Sequence, residues 1–367
     1  MRVPQIDLVR QYRQLQGDID GTIDEVLSSG SFVLGRWVEE IEKTVAGVCG
    51  VKHGVGVASG TDALDIALTA CGVKAGDEVI TSTFSFVSVA EVAIRLCAKP
   101  VLVDIDPKTF NSESQVIERA VTPRTKAIVP VHLYGQSVDM DPLVELGRKR
   151  GIPIIEDMCQ AIGARYKDRA VGSMGCLSCI SFYPTKNLGC YGDGGMIVTN
   201  DDGLREKVAS LRKHGQGDKY NYKYIGVNSR LDSIQAAVLL AKAKHLESWN
   251  ERRRAIARLY GEMLRGLPVE TPFEAPYARH IYHQYTIKAE SRDQLQAHLK
   301  AKGIGTAIHY PLGIHKQDAY KNLGHGDGDF PVADAASSKV LSLPMFPELE
   351  QAEIEYVCES IRDFYGK

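Results

Sequence analysis

Short apolar runs alternate with amphipathic stretches through the first two thirds of the chain, and this alternation predicts repeated β–α–β units. The apolar runs predict strands at residues 55–58, 79–81, 101–105, 127–133, 153–157, 179–183 and 194–199. Helical patterns at residues 63–71 and 87–96 follow the first two. Continuously apolar strands are typical of a parallel sheet that is covered on both faces. The pattern therefore predicts an α/β fold with a mostly parallel sheet sandwiched by helices.

The chain changes character after a long helical pattern at residues 233–264. A predicted strand at 284–288, a predicted helix at 292–302 and proline-rich segments at 310–311 and 343–347 follow it. These signals indicate a smaller C-terminal α/β domain. We expect a large domain at residues 12–250 and a small domain at 251–367, with the N-terminal segment 1–11 packing against the small domain.

Composition excludes several classes of protein. The 367 residues carry a net charge of −2, which provides no overall field to attract nucleic acid or an acidic membrane. No apolar run approaches the ~18–20 residues that cross a bilayer, and the N-terminus lacks the features of a secretion signal. We therefore expect a cytoplasmic protein with no nucleic-acid or membrane partner.

The eight cysteines are irregularly spaced in apolar segments, which is typical of buried free thiols. Cys176 and Cys179 form a C-x-x-C pattern. A zinc site would need a second pair or nearby histidines, and a redox pair would be expected at the start of a helix. Neither condition is met, so the sequence predicts no metal site.

A possible anion site lies at the first strand-to-helix junction, Ser59-Gly60-Thr61-Asp62. Free backbone N–H groups and the helix dipole make such a junction a seat for phosphate. Ordinary helix capping by serine or aspartate explains the same residues. The segment matches neither the P-loop nor the dinucleotide-binding fingerprint.

Two further residues carry chemistry at strand ends. Asp157 ends a buried strand at the edge where open α/β sheets bind ligands, and a carboxylate there can keep a pyridinium nitrogen protonated. Lys186 follows another buried strand in a glycine-rich turn, where partial desolvation favours the neutral, nucleophilic amine. A helix cap and a surface lysine are the ordinary alternatives, but the combination favours a lysine that forms a Schiff base.

The whole chain resembles the DegT/DnrJ/EryC/StrS sugar aminotransferases, which are fold type I enzymes dependent on pyridoxal 5'-phosphate (PLP). The motifs that carry the resemblance are Ser59-Gly60-Thr61-Asp62-Ala63-Leu64, Glu156-Asp157-x-x-Gln160, Ser181-Phe182-Tyr183-Pro184-x-Lys186, Gly192-Asp193-Gly194-Gly195, His214-Gly215 and His309-Tyr310-Pro311. The resemblance implies a mostly parallel seven-stranded sheet with a smaller C-terminal α/β domain. It also implies a homodimer with shared active sites.

Roles follow from the resemblance position by position. It implies that Lys186 bonds to PLP and moves protons, and that Asp157 pairs with the pyridine nitrogen. The remaining cofactor contacts that it implies are Gln160 near the ring hydroxyl, Phe86 stacked on the ring, Gly60, Thr61 and Ser181 at the phosphate, and Asn228 reaching that phosphate from the other subunit. Met158 and Cys159 replace two alanines that are common in the family, and we expect this change to alter packing below the ring.

The resemblance also bears on the substrate. Related sugar dehydratases carry histidine where this chain has Lys186, so lysine favours amino transfer, usually from L-glutamate, with pyridoxamine phosphate as the intermediate form of the cofactor. The segment around Arg230 looks most like the branch that aminates UDP-2-acetamido-2-deoxy-3-oxo-D-glucuronate for surface polysaccharides such as O-antigen. In that branch the arginine binds the uronate carboxylate, whereas an ion pair with Asp232 is the ordinary alternative. Phe32, His309 and Tyr310 match nucleotide-sugar contacts.

Two other functions stay open at this point. One is the same chemistry on a neutral dTDP- or UDP-linked keto-hexose, which would not require Arg230. The other is a catalytically silent relative that binds PLP for regulation.

Overall fold

The computed structural model describes residues 1–366, which form helices on both sides of a central sheet. The α-helices are α1 Leu8–Ser29, α2 Arg36–Cys49, α3 Gly60–Ala70, α4 Ser88–Arg95, α5 Ser114–Ala120, α6 Met140–Arg150, α7 Asp202–Leu211, α8 Ser233–Ala243, α9 Leu246–Met263, α10 Arg292–Ala301, α11 Pro331–Lys339 and α12 Gln351–Phe364. Short 3₁₀ helices span Leu133–Gly135, Ile314–Lys316 and Asp318–Leu323. The strands are β1 His53–Val57, β2 Glu78–Ser82, β3 Lys99–Val103, β4 Thr125–Val129, β5 Ile155–Asp157, β6 Arg165–Tyr166, β7 Arg169–Ala170, β8 Leu177–Ser181, β9 Gly195–Thr199, β10 Val269–Glu270, β11 Ala278–Arg279, β12 Tyr285–Ala289 and β13 Val340–Leu343.

Seven strands form the central sheet in the order β3-β2-β4-β5-β8-β9-β1. Two isolated parallel bridges, Ile128 with Ile154 and Val131 with Asp157, join the β4 and β5 halves. Only β9 runs antiparallel to its neighbours. The predicted seven-stranded, mostly parallel sheet is therefore confirmed, and each predicted strand is present with its ends shifted by a few residues.

Apolar clusters cover both faces of this sheet. On one face α3 packs against β1, β5, β8 and β9, with Leu64, Leu68 and Leu177 fully buried. On the other face α2 and α8 pack against alternate residues of β8 and β9, such as Ile180 and Met196. Parallel β5 and β8 are thereby buried on both sides, and their carboxyl ends come out side by side at one edge. That edge holds the candidate site.

The prediction of one helix at residues 233–264 is wrong, because the structure has two helices, α8 and α9, separated at Lys244 and His245. Ala236, Ala237 and Leu239 of α8 belong to the cluster under the large sheet, whereas Ile256, Ala257 and Tyr260 of α9 belong to a second cluster. A straight helix cannot face both clusters, although the sequence period is continuous. The turn is tight, with the His245 N–H donating to the Lys242 carbonyl at 2.9 Å.

The second cluster is built from α9, β12, α10, β13 and α12. Val3, at the N-terminal end, is fully buried in it, and its N–H donates to the Gly303 carbonyl at 3.0 Å. The division of the chain into two domains near residue 250 stays a prediction. In the described chain, no helix is long and apolar enough to cross a membrane, and the cytoplasmic location also stays a prediction.

Candidate active site

A cavity of about 500 Å³ opens where β5, β8 and the N-terminus of α3 meet. Eight of the twelve predicted site residues line it: Gly60, Thr61, Phe86, Asp157, Gln160, Ser181, Lys186 and Tyr310. The structure thus brings together residues that lie up to 250 positions apart in the chain. The four others, Phe32, Asn228, Arg230 and His309, are not among the lining residues.

The N-terminus of α3 forms one end of the cavity. Ser59 caps the helix by accepting a hydrogen bond from the Asp62 N–H at 3.0 Å, so the ordinary capping role is real. Gly60 packs so closely that a Cβ on it would lie 2.7 Å from the Ser181 Cβ. The Thr61 and Ser88 hydroxyls lie 3.0 Å apart beside it. This tight cradle leaves free amide groups and hydroxyls facing the cavity, which suits a phosphate group.

Lys186 carries the amine of the cavity. Its N–H donates to the Tyr183 carbonyl at 2.8 Å, which fixes the turn after β8. The side-chain amine has no hydrogen bond or ion pair with any residue in the range 1–366. Burial lowers the pKa of this amine, and the nearby Cys159 and Asp157 oppose the effect only in part. A larger fraction of the amine is therefore neutral near pH 7 than for an exposed lysine, which suits attack on an aldehyde.

Asp157 ends β5 and is only 9% exposed, with its exposed part lining the cavity. One carboxylate oxygen accepts a hydrogen bond from the Cys159 N–H at 3.1 Å. Its backbone is held on both sides, because its N–H donates to the Pro130 carbonyl and its carbonyl accepts from the His132 N–H. The carboxylate is therefore fixed in place and faces a ligand rather than a protein cation.

The neighbouring acid, Glu156, has a different role. Its buried carboxylate accepts hydrogen bonds from the backbone N–H groups of Gly172, Met174 and Gly175 at 2.7–3.0 Å and from the His132 ring at 3.0 Å. The Val138 N–H donates to His132 Nδ1, so the proton lies on Nε2, which donates to Glu156. Burial alone would raise the pKa of the Glu156 carboxyl, but these hydrogen bonds lower it.

We expect Glu156→Ala to lower the free energy of unfolding by about 3–5 kcal/mol, because it leaves several buried N–H donors unsatisfied. Urea denaturation measures the loss, and the matched control is Glu145→Ala on the surface of α6. The folded pKa of Glu156 is below the unfolded value, so its contribution is present above the unfolded pKa and is lost as the pH falls through the folded pKa. A loss no larger than that of Glu145→Ala would contradict this assignment.

Gln160 and Tyr310 form the wall opposite the phosphate end. The Gln160 carbonyl accepts from the Tyr134 N–H at 2.8 Å, and its amide donates to the Tyr310 hydroxyl at 3.1 Å. His309 lies behind this wall, with Nδ1 2.9 Å from the Ser342 hydroxyl. Burial, with a smaller effect of Lys186, lowers the pKa of His309 to about 4, so its ring is neutral near pH 7.

Ser88 is a lining residue that the sequence did not single out, and Tyr183, Cys159 and Asp193 also line the cavity although they were not assigned as cofactor contacts. Ser88 begins α4 two residues after Phe86, and a cap-forming residue at that point was the available signal. Met158 and Cys159, which replace two alanines that are common in the family, lie in different places. Met158 is buried under Gly172, whereas Cys159 lines the cavity beneath Gly60.

Phe32 and Arg230 lie together on a second surface. Val33 pairs with Asp232 in an isolated bridge, and the Ser233 N–H donates to the Phe32 carbonyl at 3.1 Å. Arg230 is half-buried, yet its guanidinium forms no ion pair or hydrogen bond with any residue of the described chain, 1–366. The ion pair with Asp232 that the sequence left open is therefore absent.

This surface is connected to the phosphate end through Ser229. The buried Ser229 hydroxyl donates to Asp62 at 2.6 Å and accepts from the Ala58 N–H at 3.0 Å. Asn228 and Arg230 flank this anchored residue, and Asn228 is exposed. The position of both flanking residues is therefore set by the start of α3.

An anion cradle, a fixed carboxylate and a desolvated amine in one cavity match the phosphate, the ring nitrogen and the aldehyde of PLP. On a seven-stranded sheet of this order, they define a fold type I PLP-dependent aminotransferase. The chain belongs to the DegT/DnrJ/EryC1/StrS aminotransferase family, whose model matches residues 13–362.

Curated relatives match the chain over nearly its whole length. A "pleiotropic regulatory protein" of Geobacillus stearothermophilus is 49% identical over 100% of this chain and 99% of its own. The UDP-2-acetamido-2-deoxy-3-oxo-D-glucuronate aminotransferase of Pseudomonas aeruginosa is 44% identical over 97% and 98%. The dTDP-3-amino-3,4,6-trideoxy-alpha-D-glucose transaminase of Streptomyces venezuelae is 42% identical over 99% and 96%. The enzyme is thus an aminotransferase of nucleotide-linked keto sugars.

Solved structures agree with this assignment. DesV of S. venezuelae, in complex with a ketimine intermediate, superposes with a TM-score of 0.97 at 42% identity, covering 100% of this chain and 99% of that one. Ntda of Bacillus subtilis, solved with bound cofactor PMP, superposes with a TM-score of 0.92 at 31% identity, covering 100% and 86%. PLP is accordingly the cofactor of this chain.

Proposed function

We propose that the enzyme transfers the amino group of L-glutamate to the 3-keto carbon of UDP-2-acetamido-2-deoxy-3-oxo-D-glucuronate, forming a diamino uronic acid precursor of a surface polysaccharide such as O-antigen. The observation that carries the proposal is Arg230, a half-buried guanidinium that has no hydrogen-bond or ion-pair partner among residues 1–366. A partly desolvated charge is costly unless it is paired, so a ligand carboxylate is the natural partner. The Pseudomonas aeruginosa relative, named for a uronate substrate, supports this choice.

We also propose that the enzyme works as a homodimer with shared active sites. The loop before Asn228 exposes apolar side chains, including Ile225, which is 96% exposed, and Tyr220, which is 79% exposed. A second copy of the chain covering this loop would bury them. Asn228 and Arg230 lie at the end of the loop and do not line the cavity of their own chain, so we assign them to the partner's site.

The lining residues then have separate tasks. Bound PLP acts as an electron sink that stabilises a carbanion. The Lys186 Nζ would take the proton from the α-carbon of the donor and give it up again later in the reaction, because its desolvated amine is a base when neutral and an acid when protonated. Asp157 would keep the ring nitrogen protonated, while Gly60, Thr61 and Ser181 would hold the phosphate. Phe86, which lines the cavity and is 59% exposed, would cover one face of the ring.

We expect Arg230→Ala to lower kcat/KM for the UDP-linked 3-keto uronate by about 10²-fold, since it removes a charge-assisted pair. Activity on the UDP-linked 3-keto sugar without the carboxylate should change by less than about threefold. Arg230→Lys keeps the charge but loses the two-pronged geometry, so it should recover only part of the activity. Coupled assays with a dehydrogenase that supplies each keto sugar measure both ratios.

Arg13→Ala, an exposed arginine on α1, is the matched control and should leave both activities unchanged. An equal loss on both sugars would remove the carboxylate assignment. It would favour the second candidate, a neutral keto-hexose, which the Streptomyces venezuelae relative supports. The catalytically silent alternative is disfavoured, because Lys186 and Asp157 are both present in the cavity.

A further inference from the structure

Two thiols that take no part in amino transfer lie next to each other at the end of the sheet opposite to the cavity. Cys71 directly follows α3, and Cys176 directly precedes β8. Their sulfur atoms are 3.8 Å apart although the residues are 105 positions apart in the chain. Both residues are partly exposed and both thiols are free. Cys176 therefore contacts a cysteine that comes from another element of the fold and lies outside its C-x-x-C pattern with Cys179.

We propose that Cys71 and Cys176 form a reversible disulfide when the protein meets hydrogen peroxide, and that closing this bond weakens the binding of PLP. A disulfide has a sulfur–sulfur distance of about 2.05 Å, so the two atoms need to approach by roughly 1.7 Å. Both cysteines lie at the ends of their elements, where such a movement is easiest. The inference does not depend on which sugar the enzyme aminates.

The surroundings favour a reactive sulfur at this place. The Cys71 and Cys176 thiols lie within hydrogen-bond distance, and this interaction lowers the pKa of Cys176 and raises that of Cys71. Lys207 donates to the Ala70 carbonyl at 2.8 Å and places a positive charge beside Cys71, whereas burial and Asp201 only partly oppose the lowered pKa of Cys176. An adjacent cation stabilises a thiolate, which is the nucleophilic form.

The chemistry balances with peroxide as the only co-reactant. The Cys176 thiolate attacks one oxygen of hydrogen peroxide, the O–O bond breaks, and the other oxygen leaves as hydroxide, which takes a proton to become water. The Cys71 sulfur then attacks the Cys176 sulfur of the sulfenic acid. The S–S bond forms, the S–O bond breaks, and the second oxygen leaves as water with the Cys71 proton. A dithiol reductant reverses the bond by exchange.

The same two elements carry the phosphate cradle at their other ends. α3 begins at Gly60, and β8 ends at Ser181. These two ends are tightly packed against each other, because a Cβ on Gly60 would lie only 2.7 Å from the Ser181 Cβ. A helix moves as a rigid rod, so drawing its C-terminal end towards β8 shifts its N-terminus relative to Ser181. Shifts of this size are enough to disturb a preorganised anion site.

The test treats the holoenzyme with hydrogen peroxide, blocks the remaining thiols and digests with trypsin. We expect a linked pair of peptides, residues 53–74 and 170–186, which join Cys71 to Cys176 and separate after dithiothreitol. We also expect the affinity for PLP, followed by visible absorbance during dialysis, to fall by about tenfold on oxidation and to recover on reduction. Linkage to Cys179 is distinguished by fragmentation of the 170–186 peptide, which contains both Cys176 and Cys179.

Variants decide the outcome. Cys71→Ser and Cys176→Ser should each abolish the loss of PLP, whereas Cys97→Ser, which removes the exposed thiol outside the pair, should behave like the parent. Either pair variant tests the proposal if the other fails to fold. Absence of the linked peptides, or an equal loss of PLP in both pair variants, would overturn it. Formation of the bond without a change in PLP affinity would overturn the link to the cofactor.

Discussion

Replacing Lys186 by alanine should lower kcat for amino transfer by about 10⁴-fold or more, because it removes both the attachment point of PLP and the acid–base group. Lys186 is the only lysine that lines the cavity in the described chain, residues 1–366. Its amine has no protein partner there, so the fold does not depend on it. The variant should therefore fold normally, hold PLP without a covalent bond and lose the absorbance band of the attached cofactor.

Borohydride reduction followed by mass spectrometry checks the attachment, and the exposed Lys244→Ala is the matched control. Lys242 is the one alternative worth testing, because burial lowers its pKa to about 8. Its amine, however, donates to the Gly189 carbonyl at 2.8 Å and lies over the Tyr191 ring. Trapping of PLP on Lys242 in the parent enzyme, or retained turnover in Lys186→Ala, would refute the assignment.

The lowered pKa of Lys186 determines how the attachment of PLP to the apoenzyme depends on pH. An amine is nucleophilic only above its pKa, so the rate at which apoenzyme attaches PLP should rise with pH and level off below the ordinary lysine value of 10.5. The pKa is lowered rather than raised because burial disfavours the charged form of the amine.

The sequence alone predicted the strands of the central sheet, but it did not predict the break between α8 and α9. Each strand of the sheet contains buried apolar residues that located it in the sequence, although its ends are shifted by a few residues from the predicted ones. The turn at Lys244 and His245 has no such signal, since both residues are good or neutral helix formers and the apolar period continues across them. Only the packing of α8 and α9 on different clusters shows the turn.

Site residues were predictable where they lie at the end of a strand, in the turn after a strand or at the start of a helix. Motifs and their spacing located Asp157, Lys186 and Gly60 in this way. The contact of Cys71 with Cys176 was not predictable, because it depends on how α3 lies on β8. The unpaired state of Arg230 was equally hidden, since Asp232 two positions away offered a plausible partner that the backbone does not bring into contact.

Asp157 is the residue whose charge, rather than its shape, should matter most. It lines the cavity as a fixed carboxylate, and within residues 1–366 the only hydrogen bond that its side chain accepts comes from the Cys159 N–H. An asparagine oxygen can accept the same bond, and the backbone bonds to Pro130 and His132 do not involve the side chain. Asp157→Asn should therefore keep the fold and the orientation while removing the negative charge that holds a proton on the ring nitrogen.

We expect Asp157→Asn to lower kcat of the half-reaction with L-glutamate by about 10²–10³-fold, the cost of leaving a buried cation without its partner. KM should change little, because asparagine has nearly the same size and shape as aspartate. Stopped-flow absorbance of the cofactor measures both constants, and the exposed Asp168→Asn is the control for a carboxylate outside the cavity. Asp193 supplies the other cavity carboxylate. If Asp193→Asn lost the half-reaction and Asp157→Asn kept it, the ring nitrogen would face Asp193, and PLP would bind with its ring turned from the orientation derived from β5.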